Sequence, residues 1–338
     1  MNQTPPPSAQ LMQIMFSMIP TLAIGVAAKF GIADLLRDGP KTADELASLA
    51  GVHPRSLYRL LRATASVGVF SEDADGRFSL TPLAKPLRSD VPDSIRAFAI
   101  FYSADWHMRV WAELDYSVQQ GAPAFDRING QEFFPYLEDN PAHAQVFNNA
   151  MTSNSAAACA AVLAGYDFSG INTLVDVGGG HGLLLSSIME KYPQMSGVLY
   201  DAQSVIDGAT GIATNPAIRG RCEAMGGDFF QSVPAGGDAY IMKHIIHDWD
   251  DEHSLQILRN CHASMTANGK VLVVEMVIPA ANAPSIGKFL DLEMLLFLRS
   301  FERTEAEYRT LFERAGFELT RIVPTASPYS VIEGVRVM

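Results

Sequence analysis

The chain has 338 residues, 48% of them hydrophobic and 18% charged, and a formal net charge of -12. That is enough apolar material for two domains with a sizeable core, and it excludes a disordered chain. The acidity argues against nucleic acid, whose binding draws on neutralised phosphates, and against an anionic membrane surface. Cys159, Cys222 and Cys261 show no C-x-x-C spacing, so neither a disulfide framework nor a zinc site is expected, and a cytoplasmic location fits best.

The first element is "LMQIMFSMIPTLAIGVAA", residues 11–28, which carries no charge and sits at the lower length limit for a membrane span. Gln13, Ser17, Pro20 and Thr21 interrupt it, and the preceding MNQTPPPSAQ lacks the basic residues of a signal peptide. The expectation is a buried helix pair or a subunit interface rather than a span.

Thr42 with Glu45 has capping-box spacing, and Leu46, Leu49 and Ala50 follow at helical intervals. A turn at Gly51 leads to a second helix carrying Leu57, Leu60 and Leu61, and "VFSEDADGRFSL" then alternates around the Asp75-Gly76 turn signal as a β-hairpin. Two helices and a hairpin form a winged-helix pattern. Arg55, Arg59 and Arg62 on the second helix could face DNA phosphates, or the module could be a scaffold with solvated arginines; the acidity of the chain favours the scaffold.

Residues 93–165 read as mostly helical and rich in aromatic side chains. Beyond 170, the apolar runs "TLVDV", "GVLY", "AYIM" and "KVLVVEM" alternate with helical stretches, the pattern of a parallel sheet covered on both faces.

"LVDVGGGHG" places Gly178 and Gly180 between the first of those strands and a helix. Glycines there permit positive φ and a close ligand approach, and the helix start offers unpaired N–H groups. A dinucleotide fingerprint would need Gly or Ala at 183, where Leu183 stands, so an NAD site is disfavoured. Asp201, ending "VLYD", can chelate a ribose diol. In "GGDFF", Asp228 is a candidate acceptor for an adenine amine and Phe229 a flat surface for its ring. Asp228 alone would read as a loop cap; in order with the other two features it points to S-adenosylmethionine as cofactor.

"LVDVGGGHG", "VLYD", "GGDFF", "YIMKHIIHDWDDE", "KVLVVE", "FERTEAEYRTLFERAGF" and the upstream "FNNAM" together resemble the plant-type small-molecule O-methyltransferases, the family of the caffeic acid and isoflavone enzymes and of bacterial natural-product tailoring enzymes. The resemblance covers nearly the whole chain. It implies a winged-helix-like dimerisation domain over residues 1–95 that does not bind DNA, and a helical connector over 96–165. A Rossmann-like class I methyltransferase domain with a mostly parallel α/β sheet would follow over 166–338. The implied partners are a small aromatic hydroxyl substrate and a second copy of the chain, with no nucleic acid and no membrane.

In "HIIHDWDDEH", residues 244–253, a metal site is conceivable, but the stretch follows a strand, and Asp248 or Asp250 with the later acids suits the start of a helix. No metal is expected. A neutral histidine near pKa 6.5 can take the proton of a phenol whose pKa is about 10. By the resemblance, His247 is that base and Glu275 and Glu302 are the acids flanking it, orienting the ring and stabilising its charged form. His244 and His253 are expected to be packing and surface residues. The resemblance also places Lys243, Trp249 and Ser155 at the cofactor, and Phe147, Met151, Asp248 and Met294 at the substrate. The stretch "KFLDLEMLLFLRSFERT" departs from the plant members before the glutamate, and its Met294, Phe297 and Leu298 suggest an apolar pocket for a flat ring.

The expected activity is methyl transfer from S-adenosylmethionine, leaving S-adenosylhomocysteine, to a hydroxyl of an aromatic or polyketide-like small molecule. Two rivals are the same fold turned to non-methylating chemistry and a DNA-binding regulator.

Overall fold

A computed structural model of the chain describes residues 5–337, apart from the side chains of Asn154, Thr210 and Ala213. The chain forms two compact units: one runs to Ala112 and includes Phe134–Ala156, and the other comprises Glu113–Phe133 and everything from Ala157 onward. The helical stretch 96–165 is therefore divided between them.

In the first unit the apolar N-terminal stretch forms two helices, Pro7–Phe16 and Met18–Lys29. Together they are long and apolar enough to cross a membrane by length and composition. The first helix has no buried residue, with Leu11, Met12, Ile14, Met15 and Phe16 all more than half exposed, so a buried helix pair is set aside. The second packs closely on the Arg96–Tyr102 helix: a Cβ added to Gly25 would lie 2.0 Å from Ser103 Oγ. Arg96 Nε donates to Ala28 O at 2.9 Å and so ties the same pair together.

The winged-helix pattern is present. Thr42 caps the Ala43–Ala50 helix in a reciprocal capping box with Glu45, a device worth about 1 kcal/mol. Gly51 ends that helix, and Pro54–Ser66 follows, burying Leu57 and Leu61. Leu49, expected on the apolar face, is 58% exposed. The hairpin turns at Gly76 between β2 (Phe70–Glu72) and β3 (Arg77–Leu80), and β3 also pairs with β1 (Lys41–Thr42).

The second unit is built on a seven-stranded sheet. Its strands are β4 (Thr173–Val177), β5 (Ser196–Asp201), β6 (Cys222–Gly226), β7 (Ala239–Lys243), β8 (Lys270–Glu275), β11 (Phe317–Pro324) and β12 (Ser330–Arg336). The order is β11-β12-β8-β7-β4-β5-β6, with the five strands β4 to β8 parallel and the β11-β12 hairpin antiparallel at one edge. A separate two-residue ladder joins β9 (Val277–Ile278) to β10 (Arg303–Thr304).

Alternation along the strands explains burial on both faces. Leu174, Ile241, Leu272 and Val274 enter one core with the Leu183–Lys191 helix, whereas Val175, Tyr240, Met242, Val271 and Val273 enter the other with the helices Asp251–Ser264 and Glu305–Arg314. Since β4 has β5 on one side and β7 on the other, the chain leaves β4 and later returns across it. Crevices at such switch points, beyond the carboxyl ends of the strands, are where ligands bind in open α/β sheets.

Candidate active site

The carboxyl ends of five adjacent strands carry the predicted residues in spatial order: Glu275 on β8, Lys243 on β7, the 178–182 loop after β4, Asp201 on β5 and Asp228 after β6. Sequence order differs from spatial order; the sheet brings these groups together.

On the cofactor side, Gly178 has φ 69° and Gly180 φ 59°. A Cβ on Gly178 would lie 2.3 Å from Ile245 Cδ1, so that side chain would have to move to admit one. The loop is tied to β5 twice: Gly178 N–H donates to Tyr200 O and Gly180 N–H donates to Asp201 Oδ2, both at 2.8 Å. Beneath the loop, Asp176 is fully buried, its Oδ2 has no hydrogen-bond partner among the described residues, and burial raises its pKa to about 7. Asp228 accepts from Phe230 N–H at 2.9 Å and from Gln231 Nε2 at 3.1 Å, so it caps its own loop as a lone Asp would. Phe229 lies close to the Gly178 position and 6.2 Å, edge to face, from Trp249.

This donor set fits S-adenosylmethionine: a glycine-rich loop, a carboxylate at the end of β5 for a diol, an orphaned buried carboxyl oxygen for a cationic group, and an aromatic wall. Of the residues expected at the cofactor, Gly178, Gly180, Asp201, Phe229, Lys243 and Trp249 all lie at or just beyond these strand ends.

On the other side, β7 ends at Lys243 and the chain turns through a short 3-10 segment, Ile246–Asp248. Asp250 then caps the Asp251–Ser264 helix by accepting from His253 N–H, which decides between the two N-cap candidates. His253 is exposed and pairs with Asp250, the surface role expected of it.

His247 Nδ1 lies 2.9 Å from Glu302 Oε1, and its Nε2 lies 3.4 Å from Asp248 Oδ1. The His247 side chain is 12% exposed and that of Glu302 is 0% exposed. Glu275 differs from expectation. Its Oε1 accepts from the backbone N–H groups of Ile245 and His247, both at 3.1 Å, and its Oε2 accepts from Tyr308 Oη at 2.5 Å. Glu275 thus holds the backbone that carries His247, and of the two glutamates it is Glu302 that bonds the ring.

The charge state of His247 also departs from a neutral ring near 6.5. Burial lowers its pKa, but the combined field of Asp248, Glu302 and Glu275 outweighs burial and raises it to about 10. Burial in turn lifts Asp248 to about 6 and raises Glu275.

Three positioning residues escaped sequence reasoning. Tyr308 is fully buried on the Glu305–Arg314 helix, aimed at Glu275. Arg303 is also fully buried and donates to Ile246 O, Trp249 O, Asp251 Oδ1 and Ser254 Oγ at 3.0–3.2 Å, bracing the whole turn. Asp291 accepts from Glu302 N–H at 2.9 Å. Arg303 and Tyr308 stood inside the "FERTEAEYRT" motif, but only helix docking reveals their targets.

Met294 is buried on the Gly287–Phe297 helix. Phe297, on the same helix, packs against Phe125 and Phe133 with centroids 5.6 Å away in each case. Phe147, Met151 and Ser155 belong to the first unit, where Phe147 packs edge-on against Phe101 at 5.9 Å.

A parallel sheet with a glycine loop at its switch point, followed by a histidine–carboxylate pair after β7, defines the class of S-adenosylmethionine-dependent methyltransferases. The chain belongs to the O-methyltransferase family: residues 111–318 match the O-methyltransferase domain and residues 12–90 its dimerisation domain. It is similar to the phenazine O-methyltransferase of Lysobacter antibioticus, 44% identical over 97% of this chain and 96% of that protein. The mitomycin biosynthesis 6-O-methyltransferase of Streptomyces lavendulae is 37% identical over 92% of this chain and 89% of its own length. Among solved structures, that of CalO1, a methyltransferase in calicheamicin biosynthesis bound to S-adenosylhomocysteine, matches with a TM-score of 0.89 at 34% identity, covering 98% of both chains.

Proposed function

We propose that this O-methyltransferase acts on a hydroxyl of an aromatic small molecule, with His247 as the proton acceptor. The observation that carries this reading is the His247 Nδ1–Glu302 Oε1 pair at 2.9 Å, which leaves Nε2, with Asp248 Oδ1 3.4 Å away, as the nitrogen to meet the substrate. The related proteins are named for phenazine and mitomycin substrates, and a fused aromatic acceptor suits this chain as well.

S-adenosylmethionine, when bound, supplies an electrophilic sulfonium methyl group. The chain supplies alignment and proton removal. Glu302 fixes the ring and stabilises its charged form, while Glu275 and Tyr308 fix the backbone beneath it. Asp248 shares the Nε2 side and bounds where the hydroxyl can sit. Met294 is assigned to the substrate's apolar surround, Phe147 and Met151 to the methyl site, and Ser155 to the cofactor. The dimerisation region is assigned the subunit contact, through the exposed apolar helix at its start.

His247→Ala should bind S-adenosylmethionine with nearly unchanged affinity, measured by calorimetry, yet methylate a neutral phenol at least ~10²-fold more slowly, the lower end of what a positioned base contributes. An unchanged rate would remove His247 from the mechanism.

A further inference from the structure

His244 has a feature that packing does not account for. It is one of two non-glycine residues with positive φ among those described, at 58°, and that conformation sets its half-buried ring 5.5 Å from His247 and 4.4 Å from Tyr329, centroid to centroid. A non-glycine side chain is seldom held there without a compensating contact. Its Nδ1 lies 3.5 Å from Lys243 Nζ. Its Nε2 is buried and has no hydrogen-bond partner among the described residues.

The Lys243 contact assigns the tautomer. As an ammonium Lys243 can only donate, so with Nδ1 as its acceptor at 3.5 Å the ring proton is assigned to Nε2. Burial, with Lys243 and His247 nearby, holds the pKa of His244 well below the usual range, so the ring stays neutral. What remains is a neutral N–H donor, out of water, beside the base. A leucine or phenylalanine would fill the space without stranding a donor, and stranded buried donors are costly.

We infer that His244 Nε2–H recognises the substrate, donating to a hydrogen-bond acceptor, either a carbonyl oxygen or a ring nitrogen, adjacent to the hydroxyl that is methylated. This makes His244 a specificity-determining residue for phenols of that class. The donor serves the substrate because His244 neighbours His247, whereas Ile245, the next residue, is the one whose side chain lies against Gly178 of the cofactor loop. A site built around a buried donor penalises the analogue that lacks the acceptor, because the donor is then left unpaired. The inference rests on the methyl-transfer reading above for its choice of ligand.

The test uses 8-hydroxyquinoline, whose ring nitrogen adjoins the hydroxyl, and 1-naphthol, which lacks that nitrogen. Both are titrated into the full-length protein loaded with S-adenosylhomocysteine. Imidazole ¹⁵N–¹H spectra report the Nε2–H of His244, assigned by its loss in His244→Asn, a replacement that tolerates positive φ. The expected result is a displaced His244 signal with 8-hydroxyquinoline only, and roughly tenfold or greater preference for it over 1-naphthol that His244→Asn diminishes. The inference is overturned if neither compound binds, if both bind equally, or if the wild-type signal stays unmoved. It is overturned too if S-adenosylhomocysteine alone displaces the signal, since the donor then serves the cofactor. These readouts need no turnover, so failure to methylate any phenol while the His244 response persists would overturn the proposed function and leave the donor site standing.

Discussion

Three carboxylates act on His247, and with its pKa raised to about 10 the ring is an imidazolium at neutral pH. A phenol also has a pKa of about 10, so transfer between the two is close to balanced in energy once both are in place. The competent forms, neutral ring with phenol or imidazolium with phenolate, are then a minority near pH 7. We expect kcat/KM for a phenol to rise about tenfold per pH unit from neutrality and to level at a maximum near pH 10. Asp248→Asn removes a stabiliser of the imidazolium, so the levelling point should move down. A pH–rate profile flat from 6 to 10 would contradict this. The same shift makes folding stability fall with pH: a pKa raised on folding contributes fully below 6.5, and the contribution is lost as pH rises through about 10. The pairing of His247 with Glu302 was legible in "HDW" and "FERT". The charge state was not, because it depends on Asp248, Glu275 and Glu302 converging from three segments. Nor was the role of Glu275, since a letter at a strand end does not say whether its oxygens meet a ring or a backbone.

At the scale of elements, the turn 244–250 is irregular backbone braced by side chains from two other segments. Glu275 holds its N–H groups and Arg303 its carbonyls. Arg303→Met keeps apolar bulk but removes the guanidinium that donates to Ile246 O, Trp249 O, Asp251 Oδ1 and Ser254 Oγ, leaving only the longer Ser254 Oγ and Trp249 N–H contacts at the two carbonyls, which should lower stability by roughly 2–5 kcal/mol in denaturant unfolding. The turn should loosen with it, so kcat should fall more than the affinity for S-adenosylmethionine. Loss of stability at full kcat would leave Arg303 a fold-holding residue only. The strands of this region were legible because alternation and short apolar runs have one reading once glycine loops bound them. The helices between 96 and 139 were not separable in sequence, since most span only six or seven residues and their ends carry few caps. Leu49 shows the limit of periodicity: it has helical spacing with Leu46, yet the eight-residue helix turns it outward.

For the whole molecule, the unsatisfied surface is the Pro7–Phe16 helix and the start of the next. Leu11, Ile14, Met15, Phe16, Met18 and Ile19 are all exposed by 53–70%, and no residue of the first helix is buried. Contiguous apolar patches of this kind mark contact surfaces, and this one lies largely within residues 12–90, which match the dimerisation domain. Burial of apolar area stabilises at about 25 cal/mol per Å², so a charge placed on two such side chains would oppose most of what the helix contributes. Ile14→Asp with Met15→Asp should therefore shift the protein from dimer to monomer in sedimentation velocity while the catalytic unit keeps its cofactor affinity. The same stretch is apolar enough for a membrane, so flotation with neutral and anionic vesicles separates the two uses. A dimer in aqueous buffer that stays off both vesicles supports the subunit contact. Wild-type protein that floats as a monomer, with flotation abolished by the double substitution, would assign the helix to lipid and remove it from the dimer.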